Sequence, residues 1–277
     1  MAGIELADLS FVVPCMGRLS HLQESLPRLL ALARATCVVV DYGCPDASGD
    51  WVRQHCPTAR VERAQAVTHF NLAAARNLGA RAATTPWLCF VDADVLLAAG
   101  FAGQLSALGD SAAFYTALSA TRGLSGTVLC TRATFERVGG YDDVMLGWGS
   151  EDTDFYLRLQ MAGWRRASFD AATLHALPHA DALRTRHYRE GDARRSLSIN
   201  AYYMHAKLDL MKLSGGALST RARSALYARI AAQVGAALDR GEATIIDVPV
   251  GQQPLADGWD ISATLRYRVA PRSEPAR

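Results

Sequence analysis

Lysine is almost absent: the 277-residue chain holds two, Lys207 and Lys212. Catalysis by a lysine in the first 200 residues is therefore excluded, and nearly all positive charge is arginine. No sign of charge dominates, because 29 Lys and Arg face 27 Asp and Glu for a net +2. No global charge imbalance points to nucleic acid as a partner. No apolar run reaches the ~18 residues that a membrane span needs. The start, Met1 to Ser10, lacks a basic n-region and contains Glu5 and Asp8, so it does not read as a signal peptide. The expectation is a cytoplasmic protein, or one peripheral at the inner membrane face. None of the six cysteines (Cys15, Cys37, Cys44, Cys56, Cys89, Cys130) belongs to a C-x-x-C pair. They read as small buried hydrophobes in a reducing compartment, not as a zinc or disulfide framework. Low-complexity runs and fixed-period repeats are also missing.

Half of the chain is apolar, which suffices for one large domain, alone or with an appendage. The first half alternates two periods. Ser10 to Cys15 is an apolar run. Leu22, Leu26, Leu29, Leu30 and Ala33 then follow at helical spacing, with Ser20 and Gln23 as a capping box and Pro27 as an internal conflict. Cys37–Asp41 predicts a strand, Trp51–His55 a short helix, Arg60–Ala64 a third strand and Asn71–Ala83 an alanine-rich helix. Trp87 to Val91 predicts a buried strand running directly into Asp92. Strand, crossover helix, strand at this spacing implies a mostly parallel sheet covered on both faces. Further on, 113–120, 126–131 and 166–174 are strand-like. Ser150 is a candidate N-cap for a helix from Glu151 to Ala162. Residues 181–240 are largely helical, with a soft boundary near 181, and 243–269 has strand-like pieces.

Two acidic segments carry chemistry. Asp92-Ala93-Asp94 follows a strand end, where open parallel sheets bind ligands. Two carboxylates at i and i+2 can share one hard cation that substrate phosphates complete. The alternative is a solvated strand end. The second segment is Gly147-Trp-Gly-Ser-Glu-Asp-Thr-Asp154. Acids in a first helical turn complement the helix dipole, but that does not explain a tryptophan between two glycines just before them. Trp148 could stack on a sugar or base, and a carboxylate here could accept a proton from an attacking hydroxyl. Between Arg184 and Arg195 five arginines and His187 are diluted by Glu190 and Asp192. A solvated helix face, donor phosphates, an anionic acceptor and a membrane surface are all open readings of that stretch.

Taken together, these segments resemble the inverting GT-A glycosyltransferases, specifically the galactosyltransferase-like branch of family 2 and the animal β-1,4-galactosyltransferases. The resemblance covers roughly residues 10–182. It rests on Asp41 after a valine strand, Phe70-Asn71 through Asn77-Leu-Gly79, Asp92-Ala-Asp94, Gly139-Gly-Tyr-Asp142 and Gly147-Trp-Gly-Ser-Glu-Asp152. It implies an α/β fold with a Rossmann-like, mostly parallel sheet, residues 1–180 as the catalytic domain and 181–277 as a helical or mixed extension.

Carried over residue by residue, the family implies that Pro14, Arg18 and Asp41 surround the nucleotide base and ribose. Phe70, Arg76 and Asn77 would line the nucleotide pocket. Asp92 would face the ribose or the metal, and Asp94 would ligate the metal with His179, or else His175. A lone histidine, taken without the pattern, is more often structural. Trp148 and Glu151 would contact donor and acceptor sugars, and Asp152 would be the general base. Where the galactosyltransferase pattern has an arginine two residues after the phenylalanine this chain has Leu72, so one phosphate contact is missing; Arg76 is a candidate substitute.

The implied reaction is metal-dependent transfer of a hexose from a UDP-sugar to an acceptor hydroxyl, with Mn2+ or Mg2+ as cofactor and no nucleic acid partner. UDP-galactose, UDP-N-acetylhexosamine and UDP-glucose all fit as donors. The acceptor is a polysaccharide, lipid-linked glycan, peptide or small molecule. A sugar nucleotidyltransferase would want a glycine-rich basic loop where Val13-Pro-Cys-Met-Gly-Arg18 stands. A D-x-D phosphatase would want Thr or Val in place of Leu96 and a downstream lysine. A non-catalytic sugar-binding scaffold on the same fold is the third alternative, and the intact acid clusters argue against it.

Overall fold

The computed structural model describes residues 3–32, 35–118, 123–180, 182–254 and 260–270. The chain divides into two compact units, one of Met1–Asp143 with Glu151–Arg189, the other of Val144–Ser150 with Glu190–Arg277.

In chain order the first unit holds β1 (Leu9–Cys15), α1 (Leu19–Leu30), β2 (Thr36–Asp41), α2 (Ser48–His55), β3 (Arg60–Arg63), α3 (Leu72–Ala82), β4 (Trp87–Phe90) and β5 (Val95–Leu97). There follow α4 (Gly100–Leu105), β6 (Ala113–Leu118), β7 (Val128–Thr131), α5 (Arg132–Arg137), α6 (Glu151–Met161), β8 (Arg165–Asp170), β9 (Leu174–Ala176) and α7 (Ala182–Thr185). Seven strands form one sheet in the order β3-β2-β1-β4-β7-β6-β8. β3, β2, β1 and β4 run parallel, β7 is antiparallel to both β4 and β6, and β8 is parallel to β6. The mostly parallel sheet expected from the apolar strand runs is therefore present. Its switch from parallel to antiparallel pairing falls beside β4, which leads into the acidic pair.

Alternation along β1 sends side chains to two cores. Phe11, Val13 and Cys15 join Leu22, Leu26 and Leu29 of α1 and Val52 of α2 on one face. Val12 joins Ala73, Ala75 and Ala80 of α3 and Phe155 and Leu159 of α6 on the other. Five of the six cysteines are buried and none is bonded to another, in keeping with their reading as small hydrophobes.

Several local expectations change. α1 runs through Pro27, which lies exposed, so the carbonyl it leaves without an N–H partner is on the wet side of the helix. α1 also begins at Leu19, before the Ser20 capping box, and Asp46 accepts the Leu19 N–H at 2.8 Å. Ser150 has φ +70, not the extended backbone of an N-cap. The arginine-rich stretch is not one helix face: α7 ends at Thr185, and the next helix begins at Ala193 under an Asp192 cap.

The second unit holds α8 (Ala193–Ser214), α9 (Thr220–Arg240) and the antiparallel pair β10 (Thr244–Pro254) and β11 (Asp260–Val269). Its core gathers Met145, Ile199, Tyr203, Leu226, Ile230, Val234, Ile246 and Val248. Among the described residues no helix is long and apolar enough to cross a membrane.

Helix and sheet approach closely at Gly79 of α3, where a Cβ would lie 2.4 Å from Val12 Cγ1 and 2.8 Å from Val40 Cγ2. Both valines are fully buried in central strands and have nowhere to go. Gly79→Ala is expected to destabilise the unit by about 1–3 kcal/mol through overpacking, read as a lower urea midpoint at unchanged slope.

Candidate active site

The acidic pair sits on a tight turn just after β4. The Val95 N–H reaches back to the Asp92 carbonyl at 3.0 Å, and Ser25 of α1 donates to the Ala93 carbonyl at 2.7 Å. This turn breaks the alternation that would have aimed both carboxylates the same way. Asp92 and Asp94 instead serve different partners.

Asp92 Oδ1 accepts from Arg76 Nη2 at 2.9 Å. Arg76 has no exposed surface; its Nη1 donates to Asp152 Oδ1 at 2.6 Å and lies 3.8 Å from Glu151 Oε1. Its guanidinium carbon stands 4.9 Å from the centre of the Tyr141 ring. The packing leaves no slack, since a Cβ on Gly126 would lie 2.5 Å from Asp92 Oδ2 and 2.6 Å from Arg76 Nη2. Burial alone would lower the Arg76 pKa, but the charges of Asp152, Asp92 and Glu151 raise it well above its ordinary value. Burial pushes the Asp152 carboxyl up to about 8, with repulsion from Glu151 and Asp92 adding to the rise and Arg76 opposing it.

Asp94 turns the other way. Its Oδ2 is 3.0 Å from His179 Nε2. His179 Nδ1 is 3.2 Å from the Ala180 carbonyl, which can only accept. Both ring nitrogens thus face oxygens: with the proton on Nδ1, Nε2 is free to share a cation with Asp94, and with the proton on Nε2 it is donated to Asp94. Burial and the neighbouring Asp92 charge raise the Asp94 pKa, against the pull of Arg18, His179 and His21.

Glycosyl transferase family 2 matches residues 10–123, and the N-terminal domain of galactosyltransferase matches residues 107–181. Together the two matches cover residues 10–181, and the chain is a glycosyltransferase with the GT-A fold. Curated pre-mycofactocin glycosyltransferases of Mycobacterium tuberculosis are 27% identical to the chain over 89% of its length. The chain spans 57% of those relatives. Two solved structures share the fold. One is the mannosyltransferase PcManGT from Pyrobaculum calidifontis in complex with GDP-Man and Mn2+ (18% identity, TM-score 0.53, covering 85% of this chain and 76% of that one). The other is TarS from S. aureus in complex with UDP-GlcNAc (16% identity, TM-score 0.58, covering 80% and 71%).

Several residues that the resemblance assigns to the donor pocket make contacts within the protein. Asn77 spends both ends of its amide on the Tyr141 backbone, at 2.9 Å each, and so anchors the Gly139-Gly-Tyr-Asp142 turn. Arg76 gives its two terminal nitrogens to Asp152 and Asp92. Asp41 is buried, accepting from Cys44 N–H at 2.8 Å and from Arg63 Nε at 2.9 Å. Pro14 is buried in β1 opposite Val40. Phe70 packs between Tyr42 and Tyr188, and Arg18 Nη2 donates to the Leu183 carbonyl at 2.9 Å. His175 lies exposed on β9, paired with Leu96, away from the buried side taken by Leu174.

Trp148 is half-buried and belongs to the second unit. Ser196 accepts its N–H at 2.7 Å and donates to its carbonyl at 3.0 Å. Asn200 donates to the Gly149 carbonyl at 2.9 Å, and Tyr227 donates to the Leu146 carbonyl at 2.5 Å. What the two glycines admit closely is α8: a Cβ on Gly147 would lie 2.3 Å from Ser196 Oγ.

Sequence reasoning missed His21, Tyr141 and Ser25. Tyr141 lay within a quoted motif, and its bulk beside two glycines was the available signal. Ser25 and His21 are four residues apart on α1, which puts them on one face.

The Asp94–His179 pair fits a divalent cation. Two donors held at about 2.1 Å and at right angles on one cation lie about 3 Å apart. Among the described residues no group of three or more His, Cys, Asp or Glu is gathered to hold a metal. Hard cations in such sites take the remainder of their shell from substrate phosphates and water.

The Arg76 interaction gives a stability test. Arg76→Met leaves two half-buried carboxylates, and the buried Glu151 beside them, without their counter-charge and is expected to cost about 3–5 kcal/mol in denaturant unfolding. Combined with Asp152→Asn, the destabilisation should fall short of the sum of the two single effects, because the two groups share one interaction.

Proposed function

We propose that the chain is an inverting, metal-dependent glycosyltransferase that moves a hexose from a nucleoside diphosphate sugar to an acceptor hydroxyl. The observation that carries this reading is the separation of two acidic functions: Asp94 beside His179 and Asp152 beside Arg76. UDP-hexoses remain the preferred donors. The UDP-GlcNAc and GDP-Man in the complexes of similar fold support a nucleotide-sugar donor in general. Acceptors are a glycan, lipid-linked sugar, peptide or small molecule.

Asp94 and His179 would hold the Mn2+ or Mg2+ ion, which neutralises charge on the departing diphosphate when bound. The Asp152 carboxylate takes the proton from the acceptor hydroxyl as its oxygen bonds to the anomeric carbon. The bond from that carbon to the donor phosphate breaks on the opposite face, and the nucleoside diphosphate leaves with the electron pair. One displacement inverts the anomeric configuration. Arg76 opposes the rise that burial imposes on the pKa of the base, and Asn77 fixes the turn bearing Tyr141 beneath that guanidinium. Trp148, four residues before Asp152 in the chain, is read as a sugar-contacting residue on the resemblance alone, and Glu151 as an acid that orients acceptor or donor hydroxyls.

A base whose pKa is raised is charged, and active, only above that pKa. Turnover is therefore expected to rise with pH and level off past an apparent value near 8. Asp152→Asn should cut turnover by ~10²-fold or more while donor binding, measured by calorimetry, stays within about threefold. Near-wild-type turnover in that variant would remove Asp152 from the role.

His179→Ala should weaken Mn2+ binding by about 10–100-fold, followed by electron paramagnetic resonance of the free ion. Unchanged Mn2+ affinity there would separate the cation from this pair.

A further inference from the structure

We propose that His21 is a diphosphate-contacting residue of the donor site, acting beside Arg18 and supplying the phosphate recognition that Leu72 is unable to give. The proposal rests on the nucleoside diphosphate reading above. It begins with the turn after the first strand. β1 ends at Cys15, and the chain passes through Gly17, at φ +65, into α1 at Leu19. Open parallel sheets receive ligands beyond the carboxyl ends of their strands, where such turns lie.

α1 is fixed to the acidic turn. Ser25 donates to the Ala93 carbonyl, between Asp92 and Asp94, through a buried hydrogen bond of 2.7 Å. One helical turn earlier, on the same face, stands His21. Its ring meets that of His179 edge-on, with centroids 5.9 Å apart. Asp94, His179, His21 and Arg18 thus form one cluster, within which their charges act on one another.

Two nitrogens in this cluster are buried without a hydrogen-bond partner: His21 Nδ1 and Arg18 Nη1. A buried donor left unpaired costs about 1–3 kcal/mol, so such groups are rare without a reason. The aim of Arg18 is already set, because Nη2 is anchored to the Leu183 carbonyl. A guanidinium has donors only, so its open Nη1 requires an acceptor. With Nδ1 protonated, His21 requires the same. Two such donors beside the Asp94–His179 pair suit an anion that also meets a cation there, which describes a diphosphate.

Other cationic groups stand near: Arg76 has only its Nε without a hydrogen-bond partner, and the His187 ring packs against Gly17. No lysine precedes Lys207. Leu72 replaces the arginine expected from the resemblance, and Arg76 is held by Asp92 and Asp152. His21 and Arg18 are the donors in this cluster that remain open.

Calorimetry with UDP and UMP, and with GDP and GMP, each with and without Mn2+, tests the proposal on three proteins. In His21→Phe the ring packing on His179 is kept and the nitrogens are removed. In His21→Asn the side-chain amide nitrogen takes the place of Nδ1. The expected result is about tenfold weaker nucleoside diphosphate binding for His21→Phe (~1.4 kcal/mol), monophosphate affinity within about twofold, and recovery of most of the diphosphate affinity in His21→Asn.

Equal weakening of diphosphate and monophosphate, no weakening, or no recovery with asparagine would each overturn the assignment. Cooperative thermal unfolding is the control for a folded variant, and His21→Ala replaces His21→Phe if the phenyl ring is not accommodated. Wild-type protein that binds neither diphosphate would overturn the donor reading itself, and this inference with it. Wild-type binding without any effect at His21 overturns this inference alone.

Discussion

A guanidinium with no exposed surface has to be neutralised where it lies, and Arg76 organises the catalytic unit around that requirement. Its two terminal nitrogens reach carboxylates from different parts of the chain, Asp92 after β4 and Asp152 at the start of α6. Those two acids are 60 residues apart in sequence, and one ion-pair network fixes their register. Removing either acid would leave the fully buried guanidinium with less of its counter-charge. The same network sets the ionisation of Asp152. Burial drives the carboxyl toward its neutral form and Arg76 drives it back, so the group is held near the range where a base is useful at neutral pH.

This constraint divides the labour of the acidic pair. Because Asp92 is committed to Arg76, Asp94 is left for His179. The tight turn at Asp92–Val95, held by Ser25 on the Ala93 carbonyl, makes the divergence possible. In an extended strand, residues i and i+2 would share a face, and both carboxylates would compete for the same partner.

The sheet was legible because strands buried on both faces leave continuous apolar runs, as in Val12–Val13 and Val38–Val40, and because crossover helices carry their own period. The identity of the acidic residues was legible for the same reason: Asp92 follows a strand without interruption. Their partners were not, because a pairing such as Arg76 with Asp152 spans 76 residues and no local period encodes it. Asn77 is another case: its place in the pattern is that of a pocket residue, and the two hydrogen bonds its amide makes to the Tyr141 backbone reach 64 residues away in sequence. Leu19 shows the limit of local capping rules, since its N–H finds Asp46 from 27 residues away and Ser20 is not needed as a cap.

The residues after 181 read in sequence only as largely helical, yet they hold specific contacts. Ser196 and Asn200 of α8 and Tyr227 of α9 bind the backbone of the Leu146–Gly149 segment, taking both the N–H and the carbonyl of Trp148 and the carbonyls of Leu146 and Gly149. Gly147 and Gly149 are at φ +97 and +99, a region where a side chain would be strained, and at Gly147 a Cβ would also strike Ser196. The glycines therefore answer to α8 in the first instance. The Gly147–Gly149 loop is thus built from two distant pieces of sequence: the glycine-rich segment itself and a helix about 50 residues later whose serine and asparagine hold its backbone path. A pattern confined to the loop records the glycines and the tryptophan and leaves out the residues that make that path the stable one.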